Sequence, residues 1–147
     1  MRTSASSGKS NGQGGSILLE ALVAILIFSV GILAVVGMQT SAVKAASDAK
    51  YRSDASLLAS ELLGQMWVSD RIGTNMQTNF QGGGGTDRGA YTTWLANVAA
   101  ALPGVAAGVN QPLVTVNTAS GLVTVAVFWK LPSEPTAHSY SVLAQIR

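Results

Sequence analysis

The sequence predicts an α+β fold in which one long N-terminal helix packs against a small antiparallel β-sheet. Two observations predict the helix: an uncharged, apolar run extends from Ala21 to Val43, and an apolar stripe with helical spacing continues beyond it. A third observation predicts the sheet, because segments with period-two alternation fill the last third of the chain. The 147 residues are enough for about one domain.

Composition restricts the class of function. Charged residues make up only 11% of the chain and the mean hydropathy is +0.34, which favours contact with a membrane or an assembly surface. The chain has no cysteine, so it can form no disulfide, thiolate nucleophile or cysteine metal site. Two of the nine basic residues, Arg2 and Lys9, lie in the first 15 residues, and the other seven balance the seven acids. No nucleic-acid partner is therefore predicted.

Residues 1–15 form a polar leader rich in Ser, Gly and Asn, which cannot bury enough apolar surface to become ordered. An ordinary secretory signal peptide has its small residues after the hydrophobic region. Here Gly14 and Gly15 precede that region, so cleavage after Gly15 would leave the apolar helix in the product.

The apolar run is long enough to cross a membrane, because roughly 20 apolar residues span a bilayer. From Ile17 to Gly37 only Glu20 and Ser29 have polar side chains. An acid at the start of such a helix costs free energy, so its position needs an explanation. A simple signal anchor is one alternative, and the positive-inside rule does not decide the orientation.

The predicted helix continues to Val68, which makes it roughly 50 residues and roughly 80 Å long. The second half carries an apolar stripe at spacings of three and four: Tyr51, Ala55, Leu58, Leu62 and Met66. This stripe must pack against another surface. Gly31 and Gly37 either make the first half flexible or allow close packing of neighbouring helices, and both alternatives stay open.

The predicted head begins with a loop from Ser69 to Thr86, whose four consecutive glycines are expected to make a flexible connection. A short helix over 91–102 and three strands at 113–117, 122–130 and 139–146 follow. One face of the second strand is predicted to be apolar: Val123, Val125, Val127 and Trp129. A head of this size without disulfides needs the helix stripe to complete its core.

No catalytic, cofactor-binding or metal-binding residue is predicted, and the chain is not expected to be an enzyme. His138 is the only histidine, and it is predicted to be a solvated loop residue. Trp67, Trp94 and Trp129 are predicted to lie in the core of the head.

The N-terminal junction resembles a known processing signal. Gly15, an uncharged residue 16, the apolar triplet Ile17-Leu18-Leu19 and Glu20 resemble the class III signal of type IV pilins and pseudopilins. The resemblance implies that a membrane prepilin peptidase cleaves between Gly15 and Ser16 and methylates the amine of Ser16. It also implies that Glu20 pairs with the terminal amine of a neighbouring subunit. The family usually has Phe where this chain has Ser16. Alternatively, Glu20 simply lies near a helix N-terminus at headgroup level.

Two later segments are similar to the PilV-type minor pilins: VGILAVVGMQTSAVKAA and YRSDASLLASELLGQMW. The similarity implies the type IV pilin lollipop, a long helix packed against a small sheet. It divides the chain into a cleaved leader, a transmembrane or filament-core helix, the amphipathic half of that helix and a globular head, at 1–15, 16–38, 39–69 and 70–147.

The resemblance implies a minor pilin that helps to initiate assembly of a type IV pilus and supports surface attachment and twitching motility. Its partners would be other pilins, through the N-terminal helix, the prepilin peptidase and the inner-membrane assembly platform. The chain would cross the bacterial inner membrane once, with its head in the periplasm, before it enters the pilus. One alternative is an I-type minor pseudopilin of type II secretion. A DNA-uptake pilin would need an electropositive patch around Arg71, Arg88 or Lys130, which the balanced charge does not favour.

Overall fold

A computed structural model describes residues 13–132 and 134–146 and shows three helices and one sheet. The elements in chain order are α1 Gln13–Val68, α2 Gly73–Phe80, α3 Gly89–Ala101, β1 Leu113–Asn117, β2 Leu122–Trp129 and β3 His138–Gln145. The chain divides into two compact units, Met1–Ala45 and Ala46–Arg147. The combination of a long apolar N-terminal helix with a small antiparallel sheet agrees with the predicted α+β class.

Helix α1 begins at Gln13, four residues before the predicted start at Ile17. The prediction that the whole leader lacks order is therefore wrong for residues 13–15, while Arg2 and Lys9 lie outside the described residues. Propagating an existing helix is far easier than nucleating one, so the apolar run extends the helix backwards through glycines that each cost about 1 kcal/mol. Val68 is the last residue of α1, as the spacing of apolar residues predicts.

The sheet is antiparallel, with the strand order β1-β2-β3. Val125 in the central strand pairs with Val114 on one side and with Val142 on the other. The predicted strand ranges agree with β1, β2 and β3 to within one residue at each end. Every second residue of β2 from Val123 to Trp129 is fully buried, so the apolar face predicted for this strand is confirmed.

One hydrophobic cluster forms the core of the second unit, and the stripe of α1 belongs to it. Most of its buried members come from the three helices and from β1 and β2, among them Ala55, Ala59, Leu62, Met66, Met76, Trp94, Val98, Val114, Val123, Val125, Val127 and Trp129. The indole N–H of Trp94 donates to the main-chain oxygen of Leu58 at 2.9 Å and so ties α3 to α1. Trp94 and Trp129 lie in this core as predicted, but the prediction for Trp67 is wrong, because that side chain is 48% exposed.

Helix α2 corrects the prediction of a continuous loop from Ser69 to Thr86. Its sequence, GTNMQTNF, contains few strong helix formers. Met76 and Phe80 are buried and one turn apart, so tertiary packing stabilises this short helix. The Asp70 carboxylate accepts hydrogen bonds from the Ile72 N–H and from the Asn75 side chain, and these bonds lower the pKa of Asp70.

The glycine run is also not the flexible connection predicted from its composition. Gly82 exchanges two backbone hydrogen bonds with Val114, at 3.3 and 3.0 Å, and so covers the edge of β1. The ring of Tyr91 lies directly over Gly82, where an added Cβ would come within 2.3 Å of the ring. Gly83 has φ 88° and donates its N–H to Asp87. Glycine is required at Gly82 and Gly83 for close packing, whereas Gly84 has open space around it.

Tyr91 is expected to make the folding stability of the second unit decrease at alkaline pH. Burial raises the pKa of Tyr91 to about 12, a Gln111 hydrogen bond opposes the shift, and the Asp87 charge adds to it. The pKa of Tyr91 is higher in the folded than in the unfolded chain. The contribution of neutral Tyr91 to folding stability is therefore complete below about pH 10 and is lost as the pH rises towards 12. We expect a loss of up to roughly 2–3 kcal/mol across this window.

The check is urea unfolding of the full chain in detergent micelles at several pH values between 9 and 12. Tyr91→Phe should be less stable at pH 9, because it lacks the hydrogen bond to the Pro112 oxygen, but its stability should change less with pH. Equal pH slopes for the two proteins would contradict this assignment.

Candidate processing and assembly site

The predicted cleavage junction lies within helix α1 in the uncut chain. Gly15 and Ser16 belong to the first turns of α1, and both are exposed. A Cβ added at Gly15 would meet nothing within 4 Å. The described residues therefore place no steric barrier beside the junction, although the helix itself must open locally before the backbone can extend along a peptidase cleft.

Glu20 lies four residues after Ser16, which is about one turn or 6 Å along the axis. Its carboxylate is exposed, and it takes part in no hydrogen bond or ion pair within residues 13–132 and 134–146. The first turn of α1 contains no acid, so in the uncut chain Glu20 lies beyond the reach of the helix-end charge. Removal of residues 1–15 would bring a free amine within one turn of this carboxylate.

The surface that follows Glu20 is apolar as far as Met38, apart from Ser29. Between Gly15 and Val68, helix α1 contains an 18-residue stretch with a mean hydropathy of 2.8, and this stretch is 0% buried. The helix is long and apolar enough to cross a membrane. The hydroxyl of Ser29 donates to the Ile25 oxygen at 2.7 Å, and that of Thr40 donates to the Val36 oxygen at 3.1 Å. These side chains therefore need no partner from outside the helix.

A shallow apolar hollow lies on one side of this helix at Gly31. Its walls are the side chains of Phe28, Ile32 and Val35, and nothing lies within 4 Å of a Cβ placed at Gly31. The hollow exists because Gly31 has no side chain. Another helix could approach closely here, as small residues permit in membrane helices. Gly37 likewise has open space around its Cα.

His138 corrects a further prediction, because it is not a solvated loop residue. It is the first residue of β3 and stacks on the buried Trp129 with ring centroids 5.6 Å apart. Its Nε2 contacts the Glu134 carboxylate, and its Nδ1 lies 3.3 Å from Asp48 on α1. These contacts hold the start of β3 against α1 and Trp129. The prediction failed because the prolines that precede His138 in the sequence indicate a loop.

A second cluster of titratable side chains lies around His138. Within the described ranges, no group of three His, Cys, Asp or Glu side chains has the geometry to hold a metal ion. The imidazole of His138 directs its two nitrogens to different carboxylates, an arrangement that joins structural elements. The candidate site that the sequence indicates is the exposed N-terminal part of α1 from Gly15 to Glu20.

Comparison with family models, with curated proteins and with solved structures finds no match to this chain.

Proposed function

We propose that this chain is a minor pilin of a type IV pilus, a structural subunit that helps to initiate filament assembly and supports attachment and twitching motility. The observation that carries the proposal is the exposed carboxylate of Glu20, one turn beyond the Gly15–Ser16 junction, at the head of a membrane-length apolar helix. Residues 15–20 also resemble the class III signal, which supports interpreting the junction as a cleavage site and Glu20 as an assembly contact.

The junction is suited to proteolysis. A helical peptide bond must unwind before a peptidase can bind it in extended form, and glycine is about 1 kcal/mol poorer in a helix than alanine. Gly14 and Gly15 are consecutive and lie next to the end of α1 at Gln13. Opening of this first turn therefore costs little, while the apolar helix beyond Ser16 stays intact.

The pairing of Glu20 with an amine supplies a reason for an acid in this position. An unpaired charge in an apolar medium is costly, and an opposite charge within hydrogen-bond distance offsets much of that cost. Within the described residues the carboxylate has no partner of its own. The amine that cleavage exposes on Ser16, in the same or a neighbouring subunit, has the required charge and position.

Mass analysis of the N-terminus of the protein purified from its own membranes tests the proposal most directly. The expected product begins at Ser16 and carries a methyl group on its amine. The protein should also be found in sheared pili, and its deletion should reduce piliation. An intact N-terminus together with normal piliation in a deletion strain would refute the proposal. A deletion that blocks exoprotein release but leaves pili intact would identify the alternative, a type II minor pseudopilin.

Gly15→Leu should leave an uncut precursor in the membrane, which immunoblotting and mass analysis would detect. A Cβ at this position meets no atom within 4 Å, so the fold should be unaffected. Leucine also favours the helix by about 1 kcal/mol relative to glycine, which makes opening of the first turn harder. Ser16→Phe is the matched control, because it adds bulk on the other side of the bond and restores the usual residue of the family. Complete processing of Gly15→Leu would rule out cleavage at this bond.

A further inference from the structure

His138 connects three parts of the second unit. Its ring stacks on Trp129 of β2, and its Nε2 contacts the carboxylate of Glu134 in the loop before β3. Its Nδ1 lies 3.3 Å from the Oδ1 atom of Asp48 on α1. The side chain of His138 is only 29% exposed, so protein groups rather than water surround most of the ring.

The same cluster holds polar atoms that are buried without a hydrogen bond. Across the described residues, two buried side-chain polar atoms lack a hydrogen-bond partner, and they are Oδ1 of Asp48 and Nε1 of Trp129. Both residues contact His138. The Asp48 oxygen thus lies within ion-pair distance of the ring but outside hydrogen-bond geometry. This contact depends on charge, because attraction between opposite charges needs less alignment than a hydrogen bond.

Only the protonated ring compensates both carboxylates. A neutral imidazole has one N–H group, and the lone pair on its other nitrogen faces an acceptor unfavourably. The imidazolium ion has two N–H groups and a positive charge. A buried carboxylate oxygen is costly unless it has a hydrogen bond or an opposite charge beside it. Loss of the proton from His138 therefore leaves one of the two carboxylates without compensation.

The contact with Asp48 is the one that deprotonation removes. Glu134 is four residues from His138 in the chain and bonds directly to its Nε2, so we expect the single hydrogen of the neutral ring to stay on that nitrogen. Asp48 is 90 positions earlier in the chain. Its side chain is 41% exposed, so a change of rotamer brings its carboxylate into water.

No basic side chain takes the place of the imidazolium beside Asp48. Three basic residues of α1 lie within four positions of it: Lys44, Lys50 and Arg52. None of them forms an ion pair with Asp48 in the described part of the chain, and one of them pairs with Asp54 at 3.2 Å. Carboxylates titrate near pH 4 and lysines near pH 10. The charge of the cluster at neutral pH is therefore set by His138, the only histidine in the chain.

We propose that His138 is a pH-sensitive switch that connects the start of β3 to α1. The protonated ring holds the carboxylates of Glu134 and Asp48 together. When Nδ1 loses its proton, the Asp48 carboxylate turns to water and the start of β3 separates from α1, while the rest of the sheet stays paired. The switch belongs to the second unit and is independent of the proposed pilus function, which depends on the N-terminal part of α1.

The direction of the pH dependence follows from the charges. The contact is strongest at mildly acidic pH, where the ring is charged and the carboxylates are ionised. It is lost as the pH rises through the range of about 5 to 8, in which histidine titrates. It weakens again below about pH 4, where carboxylates become protonated.

Amide hydrogen exchange of the full chain in detergent micelles, followed by NMR at about pH 5.5 and about pH 8.5, tests the switch. Bonded residues alternate along an antiparallel pair, and the Ile146–Gly121 bond places the amides of Tyr140 and Ala144 on the β2 side. After correction for intrinsic exchange rates, protection at Tyr140 should fall roughly two- to fivefold at the higher pH, as expected for a partly exposed ion pair. Protection at Ala144, at the other end of the strand, should change little.

Asp48→Asn and Asp54→Asn form a matched pair of variants. Each removes one carboxylate from α1, but Asp54 pairs with Lys50, which stays charged over this pH range. In Asp48→Asn the pH dependence of protection at Tyr140 should be largely lost. In Asp54→Asn it should equal that of the native chain.

The Nδ1–H signal of isotope-labelled His138 gives a second measurement, and its assignment is unambiguous because the chain has one histidine. At about pH 5.5 the signal should be sharp in the native chain and broadened by exchange with water in Asp48→Asn. An equal pH dependence at Tyr140 in the native chain and in Asp48→Asn would overturn the proposal. So would an equal change at Tyr140 and Ala144, or an unaltered Nδ1–H signal in Asp48→Asn.

Discussion

Gly82→Ala is expected to lower the unfolding midpoint of the second unit by more than about 10 °C, from a loss of roughly 3 kcal/mol or more. The new methyl group would lie 2.3 Å from the Cδ1 and Cγ atoms of Tyr91. The ring cannot easily move away, because Tyr91 is 0% exposed and its hydroxyl donates to the Pro112 oxygen. The backbone of Gly82 cannot easily move either, because it forms two hydrogen bonds with the backbone of Val114.

Gly84→Ala is the matched control, since a methyl group there meets nothing within 4 Å. Thermal unfolding of the full chain in micelles, followed by the near-ultraviolet circular dichroism of the buried tryptophans, measures both variants. Gly84→Ala should unfold within a few degrees of the native chain. Similar midpoints for the two variants would show that Tyr91 and Gly82 are not packed as described.

Glu20→Gln is expected to permit cleavage but to prevent most incorporation into filaments. The amide has the size of the carboxylate and lacks its charge, so the amine of Ser16 would enter an apolar environment unpaired. Removing one partner of a buried charge pair costs about 3–5 kcal/mol, which corresponds to a loss of roughly two to four orders of magnitude in affinity.

The measurement is the ratio of the variant in sheared filaments to the variant in membranes, by quantitative immunoblotting. Ser29→Ala is the control on the same helix, because the Ser29 hydroxyl bonds only to its own helix at Ile25. Ser29→Ala should assemble normally. Unchanged incorporation of Glu20→Gln would remove the charge-pairing argument, whereas an uncut Glu20→Gln precursor would assign Glu20 to peptidase recognition.

Much of the fold is predictable from periodic hydrophobicity. The stripe from Ala55 to Met66 and the alternation from Val123 to Trp129 each mark a buried face, because one period matches a helix and the other a strand. Helix α2 could not be predicted from periodic hydrophobicity. Its buried residues are Met76 and Phe80, and two residues one turn apart are too few to establish a period.

Two of the other errors concern contacts that local sequence does not show. Nothing near Gly82 in the sequence shows that the ring of Tyr91 will cover it. His138 is held by Asp48, which is 90 positions earlier in the chain. Trp67 lies near the end of α1 next to the buried Met66, and on a helix adjacent residues face different directions, so it is exposed. The candidate site rests on local sequence alone, because the junction and Glu20 are four residues apart on one helix, and it stays a prediction.

The hydrogen bond of the Ser29 hydroxyl within its own helix has a thermodynamic consequence. From Ala21 to Met38, Ser29 is the only polar side chain, and it bonds within its own helix. Transfer of this segment from lipid to a packed bundle of similar helices would exchange no side-chain hydrogen bonds. Since both media are apolar, the transfer would have little hydrophobic driving force and only a small change in heat capacity. The segment would partition almost indifferently between the two media, so its hydrophobicity alone would not fix the direction of such a transfer.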